Sequence, residues 1–294
     1  MTPCGPGSPF TLLFDQAPHD GPGLPAAIRT IYAGDWHLPP PPTTRPHVFA
    51  NFVVSHDGRI SFALPRRSGG GEVSRRSAHD AWLMALLRAR ADAILTGSGT
   101  LRMARRHHWT PAQVFPADAR LFAELRLAEG RPILPLLVVA SASGHLPLDA
   151  FALRGEPQPT LIATTAAGAA RLQAQLGDRP GLRYHLSPGD KVDLAALLAA
   201  LRLDYGIQSL LSEGGGQIYG SLIAGHLIDE VFLTHSPIVI GNPPGHSPRP
   251  SLVEGVGFSP DDPPRLRLLS LRLVDDYLFQ RLAFMEIARE SQEH

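Results

Sequence analysis

Residues 209–220 read SLLSEGGGQIYG, and this stretch decides the fold class. A short apolar run ends at Glu213, three glycines follow, and an amphipathic pattern begins at Ile218. That order indicates a buried strand, a loop without side chains and the start of a helix. Glycines let a ligand approach the main chain, and the free amides of a first helical turn favour an anion. The stretch predicts a phosphate or pyrophosphate site, although an ordinary strand-to-helix turn would use the same glycines.

A second glycine loop, residues 96–100 (TGSGT), directly follows a short apolar run at 93–96. It repeats the same order of strand end, small residues and free amides. Ligands bind at the carboxyl ends of strands in open α/β sheets, so two such loops in one sheet favour a shared ligand. Neither loop has the spacing of a Rossmann fingerprint or a P-loop.

Strand-like and helix-like segments alternate from Arg45 onward, which predicts a mostly parallel sheet covered by helices. The closing segment 277–288 is predicted as an antiparallel strand at the sheet edge, and residues 241–264 as a long loop rich in Pro and Gly. The other predicted strands are 48–54, 93–96, 134–140, 160–164, 209–212 and 231–235, and the predicted helices are 74–89, 166–176 and 193–203.

Two regions are predicted along the chain: a Pro- and Gly-rich arm over residues 1–44 and one domain over 45–294. The proline run at 39–42 should be extended, because proline has no amide donor for a helix or a central strand. Apolar residues such as Phe10, Ile28 and Trp36 recur in the arm. We therefore expect the arm to pack on the domain.

Composition narrows the function classes. The 27 basic and 27 acidic residues balance, so no basic surplus indicates a nucleic-acid partner. Cys4 is the only cysteine, which excludes an intramolecular disulfide and a zinc site built from cysteines, and the histidines lack metal-ligand spacing, so no metal is predicted. No apolar run reaches the roughly 18–20 residues of a membrane span, and no signal peptide is recognised, so a cytoplasmic enzyme without membrane contact is expected.

Two charged residues, Arg88 and Asp57, occupy positions where the sequence pattern calls for an explanation. Arg88 projects toward the apolar side of the predicted helix 74–89, where a cation needs an anionic partner or must extend its charged end to water. The alternative is that it complements the helix C-terminus. Asp57 precedes Gly58 directly after a predicted strand. Asp-Gly is also a common turn pair, so Asp57 could have a purely local role.

Three motifs in this order and spacing resemble the riboflavin-biosynthesis pyrimidine reductase family. They are RPHVFANFVVSHDG at 45–58, LRARADAILTGSGT at 87–100 and SEGGG at 212–216. The family is the reductase half of a bifunctional deaminase-reductase, and the resemblance spans about residues 45–289. It implies a three-layer α/β/α domain with the dihydrofolate reductase-like fold, a mostly parallel mixed sheet and a homodimer. The deaminase half is not expected, because its zinc signature needs more cysteines than Cys4.

The resemblance also implies a reaction, namely hydride transfer from NADPH, with NADH as the alternative, to the sugar C1 of a ribosylaminopyrimidine phosphate. Asp57 or Glu213 could protonate the opening sugar. Substrate contacts are expected from Arg88, Glu213, Asn51 and Arg105. Cofactor contacts are expected from Val53, Gly97, Thr100, Ser141, Ser143, Gly214, Gly215, Gly216, Gln217, Ile218 and Tyr219.

Two departures from the family pattern keep other functions open. Ala104 stands where the family has a cofactor-contacting aspartate, and Arg105 or Arg106 could replace a missing phosphate contact. Residues 141–145 lack the arginine that relatives often have, which leaves Ser141 and Ser143 as candidates for a 2′-phosphate. The alternatives are a reductase of another pyrimidine or a pterin, a catalytically silent nucleotide-binding module, and a sugar-phosphate-binding protein.

Overall fold

The computed structural model describes residues 4–65, 67–245 and 247–285. Its centre is one ten-stranded sheet. The strands are β1 (Thr11–Asp15), β2 (His47–Val54), β3 (Ala93–Gly97), β4 (Leu136–Ala140), β5 (Thr160–Thr165), β6 (Leu182–Ser187), β7 (Ser209–Ser212), β8 (Glu230–His235), β9 (Leu266–Val274) and β10 (Tyr277–Phe284). The helices are α1 (Ala26–Tyr32), α2 (Gly70–Val73), α3 (Ala78–Arg90), α4 (Ser98–Met103), α5 (Pro111–Val114), α6 (Ala119–Ala128), α7 (Ala166–Leu176), α8 (Leu194–Leu203) and α9 (Gly216–Ala224).

The strand order is β1-β9-β10-β8-β2-β7-β3-β4-β5-β6. Neighbouring strands from β8 through β6 are parallel, whereas β10, β9 and β1 continue the sheet antiparallel. The carboxyl ends of β2, β7, β3 and β4 therefore meet at one edge, which carries both glycine loops. Among the described helices, none has both the length and the apolar character to cross a membrane.

Hydrophobic clusters cover both sides of the sheet, which confirms the predicted three-layer α/β arrangement. We call the side that packs against α3 the front face and the opposite side the back face. Trp82 and Leu86 of α3 pack on the front face with residues of α1, α6 and α7. Leu198 of α8 and Leu222 of α9 pack on the back face.

Helix α3 begins four residues later than predicted, at Ala78. Arg75 and Arg76 have φ values of 50° and 57°, in the left-handed region that a right-handed helix cannot include. Ser77 caps the helix, because its Oγ accepts a hydrogen bond from the amide of Asp80.

The prediction that the closing strand lies at the sheet edge is wrong. β10 lies between β8 and β9, and β1 of the N-terminal arm extends the sheet beyond β9. β9 was not predicted from the sequence. Ser270 and Arg272 alternate with leucines in this strand and are themselves buried, so the sequence shows no regular apolar face there. The predicted residues 286–288 lie outside the described residues.

The arm packs on the front face, as predicted. Phe10, Ile28 and Trp36 are buried there. Buried arginines of the domain donate to arm carbonyls: Arg272 Nε donates to the Tyr32 oxygen at 2.6 Å, and other contacts come from Arg90 and Arg281. The three buried guanidinium groups need hydrogen-bond acceptors, and the carbonyl groups of the arm supply them. The arm is therefore part of the core. The boundary at residue 45 stays a prediction.

Candidate active site

The two glycine loops lie side by side at the carboxyl edge of the sheet. An added Cβ at Gly97 would come within 2.9 Å of Ile218 Cδ1, and one at Gly214 within 2.8 Å of Ile218 Cβ. The amide of Glu213 also donates to the Leu95 oxygen at 2.8 Å, which ties the end of β7 to β3. Both loops therefore pack against Ile218, in the first turn of α9.

Both glycine loops lead into helices whose first turns have no side-chain cap. α9 begins after Gly215 and α4 after Gly97, and in neither does a side chain accept from the first amides. An added Cβ at Gly215 or at Gly99 would meet no atom within 4 Å. Uncapped amides beside open space are a suitable site for phosphate oxygens.

Gly216 and Gly220 have a different role. An added Cβ at Gly216 would come within 2.8 Å of the Ser251 oxygen, and one at Gly220 within 2.5 Å of the Glu254 oxygen. The Glu254 amide donates to the Gly216 oxygen at 3.1 Å. These glycines let residues 251–254 lie against α9, so part of the glycine-rich pattern serves packing.

Arg88 and Glu213 form a buried bidentate ion pair beside the first loop. Arg88 Nε donates to Glu213 Oε1 at 2.7 Å, and Nη2 donates to Oε2 at 2.6 Å. The two side chains are 3% and 9% exposed. The anionic partner that the sequence required for Arg88 is therefore the carboxylate that was expected to bind the same substrate.

His107 completes the surroundings of Arg88 and was missed from the sequence. Arg88 Nη1 lies 3.3 Å from His107 Nε2 and 3.3 Å from the Thr110 oxygen. Since a guanidinium only donates, Nε2 is the acceptor and carries no proton. Burial, followed by the charge of Arg88, lowers the pKa of His107 to about 4, which keeps the ring neutral. The only signal in the sequence was the His107-His108 pair in residues 101–109, the segment that departs from the family pattern.

A row of polar residues crosses the front face at this edge. Phe49, Ile94, Leu211 and Phe232 belong to the front cluster, and side chains alternate along a strand. The residue two positions after each of these four therefore also lies on the front face. We call them the polar row: Thr234 on β8, Asn51 on β2, Glu213 after β7 and Thr96 on β3.

Two members of the polar row have unsatisfied atoms. Asn51 Oδ1 and Thr96 Oγ1 are buried and make no hydrogen bond with the described residues, whereas the Thr234 hydroxyl lies beside the carboxyl group of Asp80. Buried polar atoms without partners are rare in folded proteins and call for an explanation. A polar ligand lying along the row would supply the missing partners.

Asp57 lies at the end of β2 but is occupied by main-chain amides. Its carboxylate accepts from the amides of Ile240 and Gly241 at 2.9 and 2.7 Å, and from Ser55 Oγ at 2.7 Å. These bonds outweigh desolvation and lower the pKa of Asp57 to about 2. An acid of that strength is ionised at neutral pH, so these contacts favour a role in holding the 240–241 loop rather than in donating a proton.

Val53 and Tyr219 are buried in apolar contacts, and their role at the cofactor stays a prediction. Val53 packs with Val73 and Ile240. The Tyr219 ring is buried on the back face, 4.8 Å from the ring of Phe52, and its amide donates within α9. In contrast, Thr100 and the exposed Gln217 stand in the first turns of α4 and α9, next to the open space at the loops.

Two arginines flank the loop after β4. Ser141 is buried there, whereas Ser143 is exposed. Arg171 of α7 donates to the Ser143 oxygen, and Arg102 of α4 donates to the His145 oxygen at 3.3 Å. The tertiary structure thus brings cations to a loop that has no arginine of its own.

Arg105, the remaining predicted substrate contact, lies at an exposed position in residues 101–109, the segment that departs from the family pattern. Its guanidinium is 3.6 Å from the carboxylate of Asp149, and both side chains are more than half exposed. Nothing in its contacts tests a role in substrate binding.

Two curated proteins are similar to this chain in sequence. A protein from Archaeoglobus fulgidus named 2,5-diamino-6-ribosylamino-4(3H)-pyrimidinone 5′-phosphate reductase is 30% identical over 220 residues, which cover 73% of this chain and 89% of the relative. The protein of the same name from Aquifex aeolicus is 28% identical over 215 residues, covering 73% and 85% of the two chains.

A solved structure gives the fold independently. The crystal structure of a pyrimidine reductase-like protein from Corynebacterium diphtheriae matches with a TM-score of 0.63 at 22% identity, covering 83% of this chain and 94% of that one. The likeness confirms the predicted dihydrofolate reductase-like fold. The family model described as RibD C-terminal domain matches residues 46–278. The chain belongs to the RibD C-terminal domain family.

Proposed function

We propose that this protein reduces a ribosylaminopyrimidine 5′-phosphate, using NADPH, in riboflavin biosynthesis. Two relatives are named for the 2,5-diamino-4(3H)-pyrimidinone form of this substrate. The observation that carries the proposal is the meeting of both glycine loops on Ile218, directly beside the buried Arg88–Glu213 pair. A dinucleotide site and a charged substrate site would then share one edge of the sheet.

The cofactor fits the residues at this edge. The uncapped first turns of α9 and α4 would hold the pyrophosphate, and the open side of Gly215 leaves room for it. Bound there, reduced nicotinamide supplies a hydride. The contacts of Thr100 and Gln217 are compatible with the same role.

The chain's own residues would bind and orient the substrate. The sugar ring opens when its ring oxygen gains a proton and the bond between C1 and that oxygen breaks. The exocyclic nitrogen then forms an iminium with C1, and hydride addition at C1 gives the ribitylamine. Arg88, held by Glu213 and His107, presents a fixed charge beside that position. Most of the rate should come from holding donor and acceptor in contact. Because the Asp57 carboxylate accepts from three donors, which lower its pKa to about 2, we do not assign the proton to it.

The direct test is NADPH oxidation with the diaminopyrimidinone ribosyl phosphate, followed at 340 nm on the purified chain. We expect turnover with formation of the ribityl product. NADPH binding without turnover on any pyrimidine or pterin would favour a silent nucleotide-binding module. Absence of any stabilisation of the folded protein by NADPH would reject a dinucleotide site, since a ligand of the folded state raises its stability.

Preference for NADPH over NADH is part of the proposal and rests on the loop after β4. Arg171 and Arg102 each use a guanidinium nitrogen on a loop carbonyl and keep other donors for an anion. The Ser141 and Ser143 hydroxyls lie on the same loop. Together they offer charge-assisted hydrogen bonds to a 2′-phosphate.

We expect Arg171→Ala to weaken NADPH binding about 10- to 100-fold and to leave NADH binding unchanged, because one hydrogen bond to a charged group is worth about 1.5–3 kcal/mol. Fluorescence titration with both dinucleotides measures this. Arg120→Ala, at an exposed arginine on α6, is the matched control. Equal losses for NADPH and NADH would place the 2′-phosphate elsewhere.

A homodimer and a cytoplasmic location complete the proposal. The homodimer rests on the family resemblance, and the cytoplasmic location rests on the expectation from the sequence. Sedimentation equilibrium of the purified chain measures the first, and fractionation of the source cells the second. A monomer at all concentrations would remove the dimer from the proposal without affecting the assignment of the reaction.

A further inference from the structure

Asp80 is a buried acid that the reaction described above does not use. It lies in the first turn of α3 and is 5% exposed. Its carboxyl group faces the hydroxyls of Thr234 and Ser74, and no cation pairs with it among the described residues. Burial raises the pKa of Asp80 to about 6, so the group is ionised at neutral pH without a charged partner.

Helix capping does not explain this acid. In a capping box the third residue of the helix accepts from the amide of the cap residue. Here Asp80 gives its own amide to Ser77 Oγ at 3.3 Å, but the Ser77 amide donates to the Ser74 oxygen at 3.0 Å instead. The carboxylate is therefore left to face the sheet.

The sheet beneath Asp80 is the polar row. Thr234, the first member of the row, faces Asp80. Arg88 lies two helical turns further along α3 and is paired with Glu213, the third member of the row. Neighbouring strands lie about 4.8 Å apart, so the row spans about 14 Å from Thr234 to Thr96. The unsatisfied atoms of Asn51 and Thr96, Asp80 beside Thr234 and Arg88 beside Glu213 form a line of buried polar groups between α3 and the sheet.

We propose that the Asp80 carboxylate binds the pyrimidine ring of the substrate at its N3–H and 2-amino groups, and so selects a 2-amino-4-oxo ring over a 2,4-dioxo ring. This inference rests on the proposed reductase function. A carboxylate offers two parallel acceptors, which match the two adjacent donors of the 2-amino ring. A 2-oxo ring has an acceptor at that position, which would face a buried negative charge.

The state of Asp80 in the folded protein supports a functional role. Its pKa lies above the unfolded value of 3.8, so the folded state binds more protons, and stability falls as pH rises from about 4 to about 6. At neutral pH the unpaired carboxylate therefore destabilises the fold. We expect Asp80→Asn to raise the melting temperature at pH 7.5.

The test compares reduction of the diaminopyrimidinone ribosyl phosphate with that of its 2-oxo counterpart, the ribosylaminouracil phosphate. The wild-type protein should favour the 2-amino substrate, and Asp80→Asn should reduce the ratio of the two kcat/KM values about 100-fold. The reason is that an amide offers one donor and one acceptor to the 2-oxo ring. A merely structural change would lower both values together. Asp193→Asn, at the exposed cap of α8, should leave the ratio unchanged.

A second measurement separates this inference from the proposed function. Calorimetry on the wild-type protein and on Asp80→Asn compares binding of the two ribityl compounds, which differ only at C2 and need no turnover. A preference for the 2-amino compound that is lost in Asp80→Asn supports the role of Asp80 even if neither substrate is reduced, in which case only the proposed function fails. Equal binding of the two compounds, or an unchanged substrate ratio in Asp80→Asn, overturns the inference.

Discussion

Replacing Arg88 by methionine is expected to lower the free energy of unfolding by about 3–5 kcal/mol, because it leaves the buried Glu213 carboxylate without its partner. The same variant should lose about 100-fold in kcat/KM for the pyrimidine substrate, since it removes hydrogen bonds between charged groups. Urea unfolding and steady-state kinetics at saturating NADPH measure the two effects.

The double variant Arg88→Met/Glu213→Leu separates the two roles. It exchanges the ion pair for apolar side chains of similar volume, which is often neutral for stability. We therefore expect most of the stability to return while the activity stays lost. If the double variant were as unstable as Arg88→Met, the buried charge would not be the cause. If it were as active as the wild type, the pair would not bind substrate.

An exposed pair provides the control for this series. Arg120 and Glu124 on α6 have the same 2.7 Å separation, but their side chains are 72% and 58% exposed. Arg120→Met should change the free energy of unfolding by less than about 1 kcal/mol, because water screens such pairs. The contrast between the two pairs isolates the effect of burial.

The second large effect is expected at the first glycine loop. Gly215→Ala adds a methyl group where no atom lies within 4 Å, and the residue has the extended values φ −72° and ψ 178°, which alanine adopts readily. The fold should therefore remain intact. NADPH affinity should fall about 10- to 100-fold, because the methyl group would keep phosphate oxygens away from the first amides of α9.

Gly214→Ala should behave differently, since the added methyl group would lie 2.8 Å from Ile218 Cβ. We expect it to lower both the melting temperature and the NADPH affinity. Gly257→Ala, in a loop position with open space around it, is the neutral control. Titration with NADPH and thermal melts measure the series. Normal NADPH affinity in Gly215→Ala would place the pyrophosphate away from this loop.

The regular elements near the site were predictable because their signals are local. The strands β2, β3, β7 and β8 and helices α7 and α8 follow from short apolar runs, helical spacing and glycine loops, and their observed bounds differ from prediction by a few residues. The carboxyl-edge position of both loops followed from parallel topology alone. Arg88 was predictable as a cation in need of an anion, because burial of an unpaired charge is unfavourable.

Other features depend on residues distant in sequence. Arg272 on β9 reaches the Tyr32 carbonyl across 240 positions, and β1 forms only because β9 offers an edge. Arg171 reaches the loop after β4 from the next helix along the chain. Nothing in a local window distinguishes such arginines from exposed ones.

The α/β class, the two glycine loops and the family were predictable from residue order, because they depend on spacing between neighbouring residues. Three features became visible only in the folded protein, namely the pairing of Arg88 with Glu213, the contacts of Asp57 with a loop and the position of Asp80 beside the polar row. The physical reason is that the state of a charged group is set by the atoms packed around it, and these come from strands and helices far apart in the chain.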